Sequence, residues 1–251
     1  MTELFSLGAS ESWLSRREPR LRIVTALLAA LITVNLTHIT PLLMTLGLGV
    51  GLALSAGLTP HLLMRRLLAL EGFMGILLLL MPFSVPGHPI GSLGPFPFSE
   101  EGVWLAMTIL LKANAVALTL LSLVGTLEPV VLGHALAKLR LPDKLVHLLL
   151  FTVRYLGVLQ EEFAGLRQAM RVRGFRARSN LHTWQSFGWL IGMLLVRSLE
   201  RAERILAAMK CRGFQGRFYL LEDYPWRWAD SGFALCAGIL LGALLMLDRI
   251  P

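Results

Sequence analysis

Long apolar stretches alternate along the chain with short polar breaks, and most of the charge sits in the breaks. A bilayer core of about 30 Å needs roughly 20 mainly apolar residues in a helix, within a range of about 17–25. Five stretches approach that length: residues 21–36, 41–58, 67–83, 103–124 and 229–247. The first is somewhat short. Only a few polar residues around His38 separate it from the second, which predicts a tight helical hairpin. Between the third and fourth spans lies SVPGHPIGSLGPFPFSEE, rich in Pro and Gly and predicted as a loop.

Residues 125–228 follow a different pattern. Their two apolar stretches, 145–159 (LVHLLLFTVRYLGVL) and 184–196 (WQSFGWLIGMLLV), are shorter, and His147 and Arg154 interrupt the first. Stretches of that length are more often buried or interfacial than spanning. The pattern predicts two long helices on or under the membrane, apolar early and polar late. Pro142 with Asp143 starts the first, which runs to about Arg173 and stops at Gly174. The second starts near residues 180–183 and stops at Gly213, with Glu200 and Arg204 paired at i,i+4 on an exposed face. An alternative with seven spans puts Arg167, Arg171, Arg173, Arg176 and Arg178 outside the cell, against the usual charge asymmetry. The expected fold is an all-α integral membrane protein of about five transmembrane helices and two long cytosolic helices. Residues 1–124 hold four spans, residues 125–228 the cytoplasmic region, and residues 229–251 the last span.

Composition supports this reading. Of 251 residues, 55% are apolar and 16% charged, with a mean hydropathy of +0.64, whereas soluble domains are nearer a quarter charged. The formal charge is +8, and position decides what it means. Of the 24 basic residues, four (Arg16, Arg17, Arg20, Arg22) stand before or at the very start of the first span and sixteen fall within residues 125–228, while the breaks after spans one and three carry none. The asymmetry places the N-terminus and the long segment in the cytoplasm, against anionic lipid and cytosolic partners, and requires no nucleic acid. The N-terminal MTELFSLGASESWLSRREPR has acidic residues and lacks an apolar core of signal-peptide length, so the first span is expected to direct insertion. Cys211 lies in a basic polar segment and Cys236 in an apolar run, and no disulfide is expected.

One motif occurs twice. MRVRGF at residues 170–175 and MKCRGF at residues 209–214 both run Met, basic, any, Arg, Gly, Phe. Each copy alone is an adequate helix stop: Arg complements the macrodipole, and Gly adopts the left-handed conformation cheaply. Two matched copies closing two long cytosolic helices suggest more. A guanidinium held at a rigid helix end presents a planar donor fork to carboxylates in a partner's groove, and Met and Phe beside it fill an apolar pocket. Two like knobs suit two like pockets.

With EPRLR before the first span, LEPVVLGHALAKLRLPDKLVHLLLFTVRY, MRVRGF, and GMLLVRSLERAERILAAMKCRGFQGRF, the chain resembles the transmembrane T component of energy-coupling factor (ECF) transporters, CbiQ branch, associated with cobalt or nickel. The resemblance implies a non-catalytic subunit in the cell's inner or plasma membrane. Its two coupling helices end in Ala-Arg-Gly-like motifs that dock into two ABC ATPase subunits and transmit ATP-driven motion to a membrane-embedded substrate-binding (S) subunit. Carried onto this chain, the docking residues are Arg173 with Gly174 and Arg212 with Gly213. Met170, Phe175, Met209 and Phe214 support them. Val172 and Cys211 stand where the motif usually has Ala.

Other chemistry is poorly supported by the residues. His38, His61, His88, His134, His147 and His182 show no ligand pairing at i,i+3 or i,i+4, so no metal site is expected on this chain. Lys112 in span four and Glu71 early in span three are costly intramembrane charges that invite pairing across the two spans. No phosphate-binding Gly-rich loop and no nucleophile or metalloprotease constellation stands out, and no cofactor is implied. A self-contained secondary transporter remains the alternative, weakened by the lack of inverted repeats. An intramembrane enzyme lacks its catalytic cluster.

Overall fold

A computed structural model of the chain describes residues 13–14, 16–58, 60–85, 89–93, 96–214 and 228–249. α1 (Pro19–Asn35) and α2 (Ile39–Ser55) occupy the first two predicted spans and are joined by three residues. Pro19 stands in the first turn of α1, where its missing N–H is no loss. α3 (Pro60–Ser84) starts seven residues ahead of the predicted span, again from a proline. α4 (Glu100–Leu123) is capped by the Ser99 hydroxyl, which accepts from the Gly102 N–H at 3.2 Å, and Glu100 and Glu101 complement the positive end of its dipole.

Two elements depart from the sequence expectation. The Pro/Gly-rich loop contains a short antiparallel hairpin, β1 (Pro89–Leu93) and β2 (Phe96–Ser99), irregular between Pro89 and Gly91. A two-stranded ribbon is all edge, so its prolines need not donate to a neighbouring strand. The all-α expectation therefore gains a small β element. The second departure is α5 (Pro129–Lys138), ten residues in a stretch too short to register as a span. α6 (Asp143–Val172), α7 (Leu181–Cys211) and α8 (Trp228–Arg249) complete the order.

The chain divides into two compact units, with boundaries between residues 132 and 133, inside α5, and between residues 223 and 224. The first contains α1–α4, the hairpin and α8, and the second contains α6 and α7. In the first, α4 packs against α1, α2 and α3. Gly49 lets α2 approach closely, since a β-carbon there would lie 3.0 Å from the Leu118 Cβ. Leu14, Ala26, Ala53, Ala56, Leu58, Leu118 and Leu123 form its buried cluster. α4 and α8 are long and apolar enough to cross a membrane, yet only 22% and 17% of their most apolar windows are buried by this chain. Leu31, Ile76, Leu79 and Ile239 are likewise apolar and exposed, as lipid-facing side chains are.

Polar side chains tie the helix ends of this unit together. Arg22, only 1% exposed, donates from Nε to the Leu123 carbonyl at 3.0 Å, from Nη1 to Leu14 at 3.2 Å, and from Nη2 to Ser122 at 3.4 Å and to the Thr126 hydroxyl. Asp248 near the end of α8 accepts the backbone N–H groups of Thr37 and His38, both at 2.9 Å. Lys112 Nζ donates to the Val34 carbonyl at 2.8 Å, in the last turn of α1, where carbonyls lack helical partners. The Glu71 side chain, offered above as its partner, lies outside the described residues.

Candidate functional site: two arginine-bearing helix ends

α6 begins after Pro142, with Asp143 in its first turn, and extends 30 residues, about 45 Å at 1.5 Å per residue. α7 begins where the Asn180 side chain accepts from the Thr183 N–H at 3.0 Å, and runs 31 residues. Both close in the same way. At the end of α6 the Gly174 N–H donates to the Arg171 carbonyl at 3.0 Å and the Phe175 N–H to Met170 at 3.1 Å. At the end of α7 the Gly213 N–H donates to Lys210 and the Phe214 N–H to Met209, both at 3.0 Å. Gly174 has φ +80° and Gly213 φ +78°, the left-handed conformation that a Schellman closure requires.

This geometry accounts for three of the four letters that recur unchanged in the repeat. Gly turns the chain left-handed. Met and Phe occupy the two positions that such a cap joins by its longer hydrogen bond, where an apolar contact commonly accompanies the turn. Arg is the last residue before the Gly. Met170, Phe175, Met209 and Phe214 are all half-buried, while Arg173, Gly174, Arg212 and Gly213 are all exposed. Neither guanidinium has a hydrogen-bond or ion-pair partner among the described residues. Val172 is 83% exposed and Cys211 is also exposed, so neither residue's size is dictated by packing within the chain.

The two ends lie at opposite ends of an antiparallel helix pair. The Phe175 ring, just past the end of α6, sits 6.4 Å from His182 and 5.9 Å from Phe187 at the start of α7. Conversely, Met209 and Phe214 at the end of α7 border a groove of about 490 Å3 with Lys144, His147 and Phe151 near the start of α6. Between these extremes Glu162 joins the helices, accepting from Arg197 Nη1 and Arg201 Nη2, each at 2.9 Å. The Arg197 hydrogen bond and the two nearby guanidinium charges hold the Glu162 carboxyl below its ordinary range.

Glu162, Arg197 and Arg201 escaped sequence reasoning, although the i,i+4 spacing of the two arginines already placed them on one face of α7. The apolar early half of α7 is open, with Trp184 and Trp189 73% and 80% exposed. Among the described residues, no group of three or more His, Cys, Asp or Glu is placed to hold a metal ion.

The family described as "Cobalt transport protein", CbiQ, matches residues 10–220. An uncharacterized protein of Methanocaldococcus jannaschii is 29% identical over 127 residues, 50% of this chain and 47% of that one. The cobalt transport protein CbiQ of Rhodobacter capsulatus is 29% identical over 128 residues, 51% of this chain and 52% of that one. The energy-coupling factor transporter transmembrane protein EcfT of Exiguobacterium sibiricum is 30% identical over 200 residues, 74% of each chain. The chain thus spans about half the length of the first two relatives and about three quarters of the third.

Proposed function

Since this chain belongs to the CbiQ family of cobalt transport proteins, we propose that it is the transmembrane T component of an ECF-type ABC importer. In this reading it is a multi-pass protein of the cell's inner or plasma membrane, with five spans and a cytoplasmic N-terminus. It couples two ABC ATPase subunits to a membrane-embedded S subunit, and it carries no catalytic site of its own. The cargo is cobalt or nickel ion, which the S subunit recognises. The R. capsulatus relative, named a cobalt transport protein, and the E. sibiricum relative, named an ECF transporter transmembrane protein, support both parts of this reading.

The observation that carries the coupling mechanism is the pair of identically closed helix ends at opposite ends of α6 and α7, each presenting an exposed arginine. A left-handed Gly cap fixes the backbone, so the guanidinium projects from a rigid point and engages a carboxylate in a partner's groove with little entropic loss. Two such points suit two equivalent ATPases. When ATP draws those subunits together, the helix ends move with them, and rods of about 45 Å carry the displacement to the apolar faces of α6 and α7 where the S subunit rests.

The test is coexpression with the ATPase and S-subunit genes that neighbour this one. Retention of both ATPases through purification, and its loss in the Arg173→Ala/Arg212→Ala double variant, is the expected result. A wild-type chain that never retains ATPases, or a double variant that retains them fully and transports normally, overturns the docking assignment.

A further inference from the structure

α8 leaves a long apolar slot against α1, α2 and α4, of about 510 Å3, walled by Leu48, Leu52, Leu123, Phe233, Leu240 and Leu244 among others. Thr25, Thr33, Thr45 and Thr119 also line it, but each hydroxyl already donates to a carbonyl of its own helix at 2.7–2.9 Å. The lining, as far as it is described, includes no His, Asp or Glu, so the slot suits neither a metal ion nor a polar solute. It extends along α8 from Ala229 to Leu244, about 22 Å, which is more than half the ~30 Å hydrocarbon core. A side cleft of about 870 Å3 between α2 and α8 shares Leu48, Gly232, Cys236, Leu240 and Leu244 with it, and opens the slot sideways.

The Ala229 end has different chemistry. Trp13 and Arg17 line the slot there, the Trp13 ring 6.0 Å from Phe233 and the Arg17 guanidinium 4.2 Å above the Trp13 ring. Arg17 Nη1 reaches Asp230 only at 3.9 Å, and its Nε is buried with no hydrogen-bond partner among the described residues. Residues 13–22 carry four arginines against one carboxylate, Glu18, and Asp230 adds a second. An apolar trough half a bilayer deep, ending at an under-bonded guanidinium stacked on a tryptophan, matches a lipid with a negative headgroup.

We propose that the slot between α8 and α1, α2 and α4 holds an acyl chain of an anionic phospholipid whose phosphate sits at Arg17 beside Trp13. This rests on the reading that these helices lie in the membrane with their arginine-rich end in the cytoplasm, but not on the docking roles of Arg173 and Arg212.

The experiment reconstitutes the full chain with its ATPases in vesicles carrying trace spin-labelled phosphatidylglycerol or phosphatidylcholine. It measures the motionally restricted fraction of each label by electron paramagnetic resonance. Wild type is expected to favour phosphatidylglycerol about fivefold, the ratio that one arginine at an anionic surface supplies. Arg17→Gln should bring the ratio to about one, and Arg17→Lys should restore most of it. Ala237→Trp, which fills the slot without touching the arginine cluster, should abolish the preference as well. Equal restriction of the two lipids by wild type overturns the proposal, as expected if a partner subunit or another segment of this chain fills the slot. A preference that survives Arg17→Gln or Ala237→Trp overturns it too. ATPase retention is read on the same vesicles, so absence of the preference in wild type with ATPases bound refutes the lipid site alone.

Discussion

Arginine is put to opposite uses in the two units. Arg22 is turned inward, and every group around it, the carbonyls of Leu14, Ser122 and Leu123 and the Thr126 hydroxyl, belongs to its own chain. Arg173 and Arg212 stand exposed on fixed caps with no partner among the described residues. The first arrangement stabilises a fold and leaves nothing for a partner. The second adds little to the fold and keeps the five donors of each guanidinium available. What separates the two proposed docking residues from the structural one is therefore the combination of a rigid backbone with a solvated charge, since charge is common to both.

The largest effect expected from this contrast is at Arg22. Arg22→Met should lower the unfolding free energy of the detergent-solubilised chain by about 3 kcal/mol, because several buried acceptors lose a charged donor. Arg173→Ala and Arg212→Ala should change it by no more than about 0.5 kcal/mol. Thermal unfolding of the three proteins checks this, and an Arg22→Met variant as stable as wild type breaks the comparison.

The reverse ranking should hold for partner binding. Each of Arg173→Ala and Arg212→Ala should weaken ATPase affinity by about 30-fold if it is a central anchor, with the double change worse than either. Titration of labelled ATPase onto the reconstituted chain reads the effect directly.

A smaller effect is expected at the caps. No atom lies within 4 Å of a β-carbon built on Gly174 or Gly213, so substitution there meets no clash, and its cost is conformational. Gly174→Val and Gly213→Val should each destabilise the local helix end by about 1–2 kcal/mol. Asn at the same positions should do less harm, since it tolerates positive φ. Faster amide exchange at Phe175 or Phe214 is the readout, and unaltered exchange in the valine variants would sharpen the case for arginine alone.

The smallest effect concerns Glu162. Its carboxyl is depressed in the fold, so its contribution is fully present above the ordinary glutamate pKa of about 4.3 and is lost as pH falls through the lower folded value. Acid should therefore loosen the α6–α7 pair in wild type below that range, while Glu162→Gln should remove this component of the acid response. Exchange protection of the two helices between neutral pH and pH 3 tests it, and identical acid profiles would show that the clasp is incidental.

Much of this was legible from residue order. Hydrophobic pattern located the helices that fill the five predicted stretches, Pro142 with Asp143 placed the start of α6, and Gly174 and Gly213 placed the ends of α6 and α7, while the start of α7 was located only to residues 180–183. The repeat announced two matched helix ends. What it withheld was the division of labour inside each copy: which letters build the turn and which are left facing water depends on backbone hydrogen bonds three and five residues apart. Arg22 was illegible for a related reason. In sequence it is one of four arginines ahead of an apolar stretch, and only the approach of the α4 end, a hundred residues away, turns it into an interior donor. Lys112 likewise found a backbone carbonyl, which no side-chain pattern records. The β1–β2 hairpin was hidden by its own prolines, and the groups that line the α8 slot come from four separate helices and the segment ahead of α1.

The caps have a further consequence for tolerance to insertions. Between Glu162, where α6 is clasped to α7, and Arg173, where it ends, the helix runs unbroken, so azimuth is transmitted along with length. One residue added in that interval advances the arginine by only about 1.5 Å but swings it about 100° around the axis. Seven added residues advance it about 10 Å yet return it to nearly its original heading. If heading is what a partner groove reads, the seven-residue insertion is the milder injury of the two.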